Sequence, residues 1–449
     1  MSPPAPRSPF ARLAPRGLAA AAVALLVAGA LLLWQRGPAD PLQRQAERFV
    51  ELALALGVEH PDEIDAWFGP ASLDARASGA SAVPVADLLA AAEALHAEIA
   101  AESAATPSAR STRLEHRVGT FVLALRTLLD PKALSFADEA LQLYDIALPP
   151  AEIDAAGQKA LMDEIEALLP GQGTLAFRVA ALQNKLVVPA DKRSAVFERA
   201  LAECRTRTLA HWSLPAEEQL TVEWTRDVEA AWHRYEGNYR STVRVNSLAL
   251  PFVGSALDVA CHEGYPGHHA QFVLLEQAAA PTGLLVEDKL ALLRTPESVL
   301  REGAANFGID LVFPPAERLA FERDVLFPLA GLSPQLAEQH AAVQALIARL
   351  SVGVVPLLQQ YRDGSVSFNS ATFRLEREAM VSSPSALLQY VDEFGAYSVG
   401  YTVAKQRLQD LVASRPADEA WSVLQGVLLD PQARLPQTAP AVEGATTPP

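Results

Sequence analysis

The sequence predicts a large, mainly α-helical fold with at most a small β element. Alanine and leucine dominate long stretches of the 449 residues, glycine contributes only 24, and alternating runs of β-branched residues are few. Half of the residues are hydrophobic and a fifth are charged, so most of the chain can bury a core. An all-β fold and a largely disordered chain are therefore excluded. The two cysteines, Cys204 and Cys261, are too few for a disulfide-rich scaffold or a four-cysteine zinc module.

The charge balance of the chain is acidic. Asp and Glu total 53 against 37 Lys and Arg, which gives a formal net charge of −16 at pH 7. Proteins that bind nucleic acids normally carry the opposite balance or a basic stripe, and this sequence shows neither. We therefore predict no nucleic-acid partner, and the acidic balance weakly favours a substrate that is not itself acidic.

Residues 1–40 form a separate N-terminal unit. Residues 17–34 are an uninterrupted apolar run, which as a helix would be about 27 Å long and just able to cross a bilayer. Arg7, Arg12 and Arg16 precede the run and no acidic residue occurs before Asp40, so the N-terminus should stay in the cytoplasm. The unit is predicted to be a cytoplasmic tail with a transmembrane anchor, or alternatively a cleaved signal segment. Either way the body should lie in the periplasm or outside the cell.

The body, residues 41–430, is predicted to be one helical domain. Apolar residues recur at helical spacing in most of it. The predicted helices cover residues 42–57, 85–103, 110–129, 135–144, 152–169, 190–212 and 216–239. A β-branched segment then predicts a short strand over 244–248, and helical spacing resumes at Ser255. Residues 431–449 are rich in Pro, Thr and Ala and are predicted to be a disordered tail.

Three of the nine histidines fall within HEGYPGHH, residues 262–269. The common zinc-binding helix places two histidines four residues apart, but here Pro266 takes that place and the next histidines are six and seven residues on. On an unbroken helix these would be about 9–10 Å apart along the axis, whereas two nitrogens on one zinc are only ~3.3 Å apart. Pro266 breaks the helix and Gly267 permits unusual backbone angles. We therefore predict a corner at Pro266-Gly267 that brings the second histidine back to His262.

Glu302 is the best candidate for a third metal ligand. It lies on an apolar stripe of a helix predicted to start with Thr295 as its cap and Pro296 in its first turn. A carboxylate on such a stripe costs several kcal/mol unless it is paired or bound to a metal. The alternative is a buried salt bridge between Glu302 and Arg294 or Arg301.

The histidine cluster also has a simpler interpretation, in which its members are hydrogen-bonded residues at a helix end. Cys261 precedes His262 and points about 100° away from it on a helix. A buried small side chain is therefore a better interpretation of Cys261 than a metal ligand. A disulfide between Cys204 and Cys261 is compatible with a location outside the cytoplasm.

HEGYPGHH, followed by TPESVLREGAANF, resembles the bacterial domain-of-unknown-function family 885, which is similar to the helical zinc metallopeptidases of the thermolysin-like superclan. The resemblance covers residues 41 to about 411. Further matching segments, in the family's order, are HPDEIDAWFGP, LSFADEALQLYDI, LLPGQG, RVNSLAL and YSVGYTVAKQRL. It implies a helical, zincin-like metallopeptidase domain, with His262, His268 and Glu302 as metal ligands and Glu263 as the general base.

The resemblance implies two further site residues. His269 is the second histidine of the pair and could exchange roles with His268, including as a catalytic residue. Tyr401, in GYTVAK, is a candidate hydrogen-bond donor to a tetrahedral intermediate. The chain departs from the family pattern at Ala404, where glycine is frequent, and just before Tyr397, where an arginine is expected. These departures affect expected substrate contacts more than the metal ligands.

These residues together predict a metal-dependent hydrolase that cleaves peptide bonds outside the cytoplasm. Zinc suits two imidazoles and one carboxylate best, with Co, Mn and Fe as alternatives. One alternative function keeps this machinery but hydrolyses non-peptide amides or esters. Another is a non-enzymatic helical binding module whose histidines hold a structural metal or none. The expected partners are a peptide or small amide substrate and, through the N-terminal segment, a membrane.

Overall fold

Helices form most of the molecule. The computed structural model is 68 % helical and 7 % strand, which confirms the mainly α fold with a small β element. The structure describes residues 40–78, 82–149, 155–227, 231–246, 248–413, 415–416, 419–430 and 433–435. The predicted anchor or signal segment lies outside the described residues, apart from Asp40.

The first helices pack around an apolar core of their own. Asp40 caps the first helix by accepting a hydrogen bond from Leu42 N, and Pro41 occupies the first turn, where its missing N–H leaves no bond unmade. Phe49 packs edge-to-face on Phe121, with their ring centroids 5.7 Å apart. The helices of this group are α1 (Pro41–Leu56), α2 (Ala71–Ser78), α3 (Val85–Ala105) and α4 (Ala109–Leu129).

The remaining helices surround a larger core. They are α5 (Phe136–Tyr144), α6 (Ala155–Leu168), α7 (Leu175–Asn184), α8 (Arg193–Leu209), α9 (Val253–Glu263), α10 (His268–Ala279), α11 (Pro296–Val312), α12 (Pro315–Phe321), α13 (Phe327–Ala330), α14 (Gln335–Leu350), α15 (Val354–Arg362), α16 (Phe368–Glu378), α17 (Pro384–Phe394), α18 (Val403–Ala413) and α19 (Ala420–Leu429). A 3₁₀ segment, Gly395–Tyr401, joins α17 to α18.

Helix α11 lies at the centre of this core. Thr295 caps it by accepting a hydrogen bond from Ser298 N, and Pro296 starts it, as the sequence predicts. Most of its residues are buried. It contacts α9, α10, α18, α19 and the 3₁₀ segment. A polar side chain on α11 therefore needs a partner within the protein.

The strands form two small sheets. They are β1 (Ile64–Trp67), β2 (Gln219–Trp224), β3 (Ala231–Gly237), β4 (Arg240–Val245) and β5 (Leu290–Leu292). β4 lies between β2, which runs parallel to it, and β3, which runs antiparallel. β1 pairs antiparallel with β5 and so joins the first helix group to the main body.

The predicted helix over 216–239 is wrong, because this segment forms β2 and β3. Along β3, buried His233, Tyr235 and Gly237 alternate with exposed residues, which is the period of a strand. Asn238 and Tyr239 then adopt left-handed φ angles of 53° and 60°, which close a tight hairpin into β4. The predicted strand at 244–248 begins earlier and is β4.

Packing against the body continues past its predicted end at residue 430. Leu435 is buried in the main core, and Arg434 Nε lies 3.1 Å from Asp145 Oδ2. The boundary of the predicted disordered tail at residue 431 is therefore too early. Residues 436–449 lie outside the described part of the chain.

One stretch of the described chain, residues 335–362, is apolar and long enough to cross a membrane by length and composition. Of its apolar window, 44 % is buried inside the protein. It comprises α14 and α15 with a 3₁₀ turn between them, and its Val343 and Leu350 belong to the main core. This stretch therefore packs as part of the protein core.

A disulfide joins Cys204 on α8 to Cys261 on α9, the helix that carries His262. Their Cα atoms are 5.5 Å apart, and both residues are fully buried. The structure thus contains the pairing that the sequence leaves open. The bond fixes α8 against the helix that leads into the histidine cluster.

We expect the Cys204→Ala/Cys261→Ala double variant to lose about 2–4 kcal/mol of unfolding free energy. The bridge spans 57 residues of sequence, and removing it frees that loop in the unfolded chain. Urea denaturation, monitored by circular dichroism, measures the unfolding free energy. Reduced wild-type protein should have the same unfolding free energy as the variant. An unchanged denaturation midpoint would contradict the proposed role of the bridge in stability.

Candidate metal centre

The chain turns sharply between α9 and α10. Helix α9 ends at Glu263, α10 starts at His268, and the Tyr265–Pro266 peptide bond between them is cis. Gly267 N donates a hydrogen bond to Cys261 O, which folds the turn back on the end of α9. A Cβ atom on Gly267 would lie only 1.7 Å from the His262 carbonyl oxygen, so only glycine fits. The structure therefore contains the corner that the Pro-Gly pair predicts.

The corner brings two imidazoles and one carboxylate together. The Nε2 atoms of His262 and His268 are 3.2 Å apart. The Oε2 atom of Glu302 lies 3.2 Å from His262 Nε2, and its Oε1 atom lies 3.3 Å from His268 Nε2. Each of these three side chains is at least 86 % buried. Within the described chain these residues form a group that could hold a metal ion.

Among the described residues, Glu302 forms no salt bridge with Arg294 or Arg301. Arg294 instead binds Glu63, with Nε 2.8 Å from Oε1, and Arg301 points to Asp65 at 3.8 Å. Glu302 faces the two histidines instead. The alternative of a structural ion pair with either arginine is therefore wrong.

The donor set fits zinc. Ligand atoms about 2.1 Å from a tetrahedral zinc ion are about 3.3–3.5 Å from one another, close to the three distances in this group. Two buried atoms of the group, Glu302 Oε2 and His268 Nδ1, have no hydrogen-bond partner among the described residues. A buried carboxylate oxygen without a hydrogen bond is costly, and a bound cation would satisfy it.

The electrostatics of this group favour a cation. Burial alone would lower the pKa of His268, but the carboxylate of Glu302 outweighs burial and raises that pKa to about 9. Burial would raise the pKa of Glu302, yet the two histidines hold it well below its usual range. A metal ion that binds at this site would compete with a proton for His268 Nε2.

Glu263 lies directly beside the ligand group. Burial raises the pKa of its carboxyl group, while nearby His262 and His268 oppose that rise. A carboxylate with a raised pKa is a better proton acceptor near neutral pH. The position and the pKa of Glu263 therefore fit a general base.

Tyr401 and Tyr397 reach the site from the 3₁₀ segment. The Tyr401 ring stacks on His262 with centroids 6.1 Å apart, and its hydroxyl lies 3.3 Å from that of Tyr390. Tyr397 donates a hydrogen bond of 2.8 Å to Glu302 Oε1. The sequence identifies Tyr401 but misses Tyr397 as the partner of Glu302. The two tyrosines lie four residues apart in YSVGY, a spacing that could have indicated both.

His269 does not join the ligand group. Its Nδ1 lies 2.8 Å from Ser241 Oγ and its Nε2 lies 2.8 Å from Glu218 Oε2, and the residue is fully buried. With both ring nitrogens engaged there, His269 cannot exchange with His268 as a ligand. Nor is a ring nitrogen left to stabilise an oxyanion. The alternative assignment of His269 is therefore wrong.

Two acidic side chains and one histidine near the site come from segments in which the sequence predicts no strand. Asp65 on β1 is close enough for its charge to act on His268 and Glu302, and burial raises its pKa. His233 on β3 has its ring centroid 5.8 Å from that of His268. Glu218 precedes β2 and binds His269. All three lie in or beside strands.

A cavity of about 500 Å³ lies beyond Phe272 and Arg301, between α4, α10 and α11. Arg113 and Arg117 line its outer wall. None of the three candidate ligands lines this cavity. The candidate metal centre is therefore a separate feature.

Comparisons with known proteins identify no family. No family model and no curated protein matches the chain. Among solved structures, a candidate lipoprotein from Colwellia psychrerythraea aligns with a TM-score of 0.46 and 16 % identity over 72 % of this chain. The chain covers 58 % of that protein, little more than half of its length. A candidate lipoprotein of unknown function from Shewanella oneidensis aligns with a TM-score of 0.41 and 14 % identity, over 76 % of this chain and 73 % of the other.

We expect Gly308→Ala to destabilise the protein by about 1–3 kcal/mol through overpacking at the corner. Gly308 lies on α11, and a Cβ atom there would be 2.5 Å from Pro266 Cγ. Gly426→Ala is the matched control, since Gly426 is also helical and its Cβ would meet nothing within 4 Å. That control should gain about 0.5–1 kcal/mol. Thermal unfolding of both variants measures the difference, and equal melting temperatures would contradict this packing.

Proposed function

We propose that this protein is a metal-dependent hydrolase that cleaves peptide bonds outside the cytoplasm, with zinc as its metal. The observation that carries the proposal is the convergence of three side chains: His262 Nε2 and His268 Nε2 are 3.2 Å apart, and each lies within 3.3 Å of one of the two Glu302 carboxylate oxygens. Two histidines and one carboxylate are a known ligand set of catalytic zinc. The adjacent Glu263 adds the acid–base group that hydrolysis needs.

Residues of this chain have separate roles in the proposed reaction. Zinc held by His262, His268 and Glu302 would act as a Lewis acid and would make water easier to deprotonate. Glu263 accepts the proton of the attacking water and delivers it to the leaving amine. Tyr401 donates a hydrogen bond to the oxygen that gains negative charge. Tyr397 holds Glu302 in its orientation by the hydrogen bond to Oε1.

Two features support a location outside the cytoplasm. Arginines followed by an apolar run at the N-terminus are typical of an exported or anchored protein. The disulfide between Cys204 and Cys261 fits an oxidising compartment. Membership in the domain-of-unknown-function family 885 is part of this proposal and rests on HEGYPGHH and the downstream Glu302 segment.

We expect Glu263→Gln to lower the turnover number by about 10²–10⁴-fold while the variant still binds zinc. Glutamine keeps the size of the side chain but cannot accept the proton. The assay is digestion of a peptide library by the zinc-loaded protein, with zinc content measured on the same samples. Glu59→Gln is the control, because Glu59 is exposed on a turn.

The substrate series decides between the alternatives. Cleavage of non-peptide amides or esters, with no peptide cleaved under zinc, cobalt or manganese, would replace the peptidase proposal with the broader hydrolase. Wild-type turnover in the Glu263→Gln variant would contradict the mechanism. A chain that binds no metal would favour a non-enzymatic binding module.

A further inference from the structure

Glu218 is a buried carboxylate with four hydrogen bonds. Its Oε2 atom accepts one from the Tyr265 hydroxyl at 2.7 Å and one from His269 Nε2 at 2.8 Å. Its Oε1 atom accepts two from Arg205, from Nε at 2.9 Å and from the terminal nitrogen at 2.6 Å. Only 2 % of the side chain is exposed. Burial opposes its ionisation, but these donors outweigh burial and lower the pKa of Glu218 to about 2.

The two partners on Oε2 lie on either side of the corner. Tyr265 immediately precedes Pro266, and His269 immediately follows His268. One carboxylate oxygen therefore ties the entry of the corner to its exit. Arg205, which binds Glu218, lies on α8. The disulfide between Cys204 and Cys261 joins this helix to α9.

His268 depends on this arrangement for its orientation. A metal-binding histidine usually donates a hydrogen bond from its second ring nitrogen, which orients the ring. The second nitrogen of His268, Nδ1, has no such partner among the described residues. Without that hydrogen bond, the placement of the His268 ring depends more strongly on the backbone of the corner, which Glu218 contacts on both sides.

We propose that Glu218 is the positioning residue of the metal centre, binding Tyr265 and His269 on both sides of the corner and thereby directing His268 toward His262 and Glu302. This inference rests on the proposed metal-dependent function. It assigns to Glu218 no contact with metal or substrate. It also gives His269 its role, since that residue carries one of the two contacts.

The contact continues into the small sheet. His269 donates its Nε2 proton to Glu218, so its Nδ1 accepts from the Ser241 hydroxyl. Ser241 Oγ is then free to accept from His233 Nε2 at 2.9 Å. His233 packs beside His268 on β3. The same series of hydrogen bonds therefore fixes the sheet against the corner from the opposite side.

The experiment compares zinc affinity in the full-length, detergent-solubilised Glu218→Gln and Glu217→Gln variants. Glu217 is the adjacent, exposed glutamate, so the two variants make the same chemical change one residue apart. Zinc affinity is measured by competition with a chromogenic chelator at fixed pH. Glutamine cannot accept from all four donors, and we expect Glu218→Gln to weaken zinc binding by about 10–100-fold. Glu217→Gln should bind zinc as the wild type does.

Cobalt substitution gives a readout that a purely structural role would leave unchanged. At saturating Co²⁺, the visible absorption of the Glu218→Gln variant should differ from that of Glu217→Gln, because its ligands are oriented differently. If both variants bind zinc within twofold of each other and share one cobalt spectrum, the positioning role is overturned. If the wild type holds no zinc, the metal centre itself is overturned, and this inference with it.

Tyr265→Phe keeps the test decisive if Glu218→Gln does not fold. It removes one hydroxyl and leaves the pair between Glu218 and Arg205 in place. We expect weaker zinc binding, by about 10-fold, and a shifted cobalt spectrum. Tyr361→Phe is its control, since that hydroxyl bonds Asp392 away from the site. Equal zinc affinity in the two tyrosine variants would overturn the proposal.

Discussion

The site depends on the reversal of the backbone between Glu263 and His268. Two histidines six residues apart on a straight helix would be separated by about 9 Å along its axis, yet their Nε2 atoms are 3.2 Å apart. Pro266 ends the first helix. Gly267 lets the His262 carbonyl oxygen lie where the Cβ atom of any other residue would collide with it. A third element, Gly308 of α11, leaves room for the proline ring. Pro266, Gly267 and Gly308 thus allow two histidines with an uncommon six-residue spacing to bring their Nε2 atoms together.

The acidic side chains of the site carry negative charge that must be compensated. Glu302 is buried, and the half-buried Glu263 and Asp65 lie close enough to the histidines for their charges to interact. Buried carboxylates are stable only when something positive or hydrogen-bonding compensates them. Arg294 pairs with Glu63 and Arg301 lies 3.8 Å from Asp65, so neither arginine forms an ion pair with Glu302. A bound divalent cation would compensate the negative charge of Glu302.

The sequence predicts the parts of the site that depend on local patterning. Thr295 and Pro296 start α11 as expected, and Pro266 and Gly267 form the corner, because caps and turns are set by a few neighbouring residues. The sequence does not predict contacts between residues that are far apart along the chain. Glu218 lies 51 residues from His269, and Tyr397 lies 95 residues from Glu302. A single sequence carries no signal for such pairings.

A wrong assignment of local structure concealed further residues. When 216–239 is read as a helix, buried His233 does not face the ligand group, and only the alternation of a strand places it there. The sequence also does not show which of His268 and His269 faces His262. Adjacent residues at a helix start point in different directions, and only the packing of Ser241 and Glu218 decides which imidazole faces His262.

Zinc-edge anomalous diffraction from crystals grown with zinc tests the central claim most directly. The account expects one strong anomalous peak about 2.0–2.2 Å from His262 Nε2, His268 Nε2 and a Glu302 carboxylate oxygen. A crystal structure in which these three side chains point into different regions, or in which zinc binds only elsewhere, would contradict it.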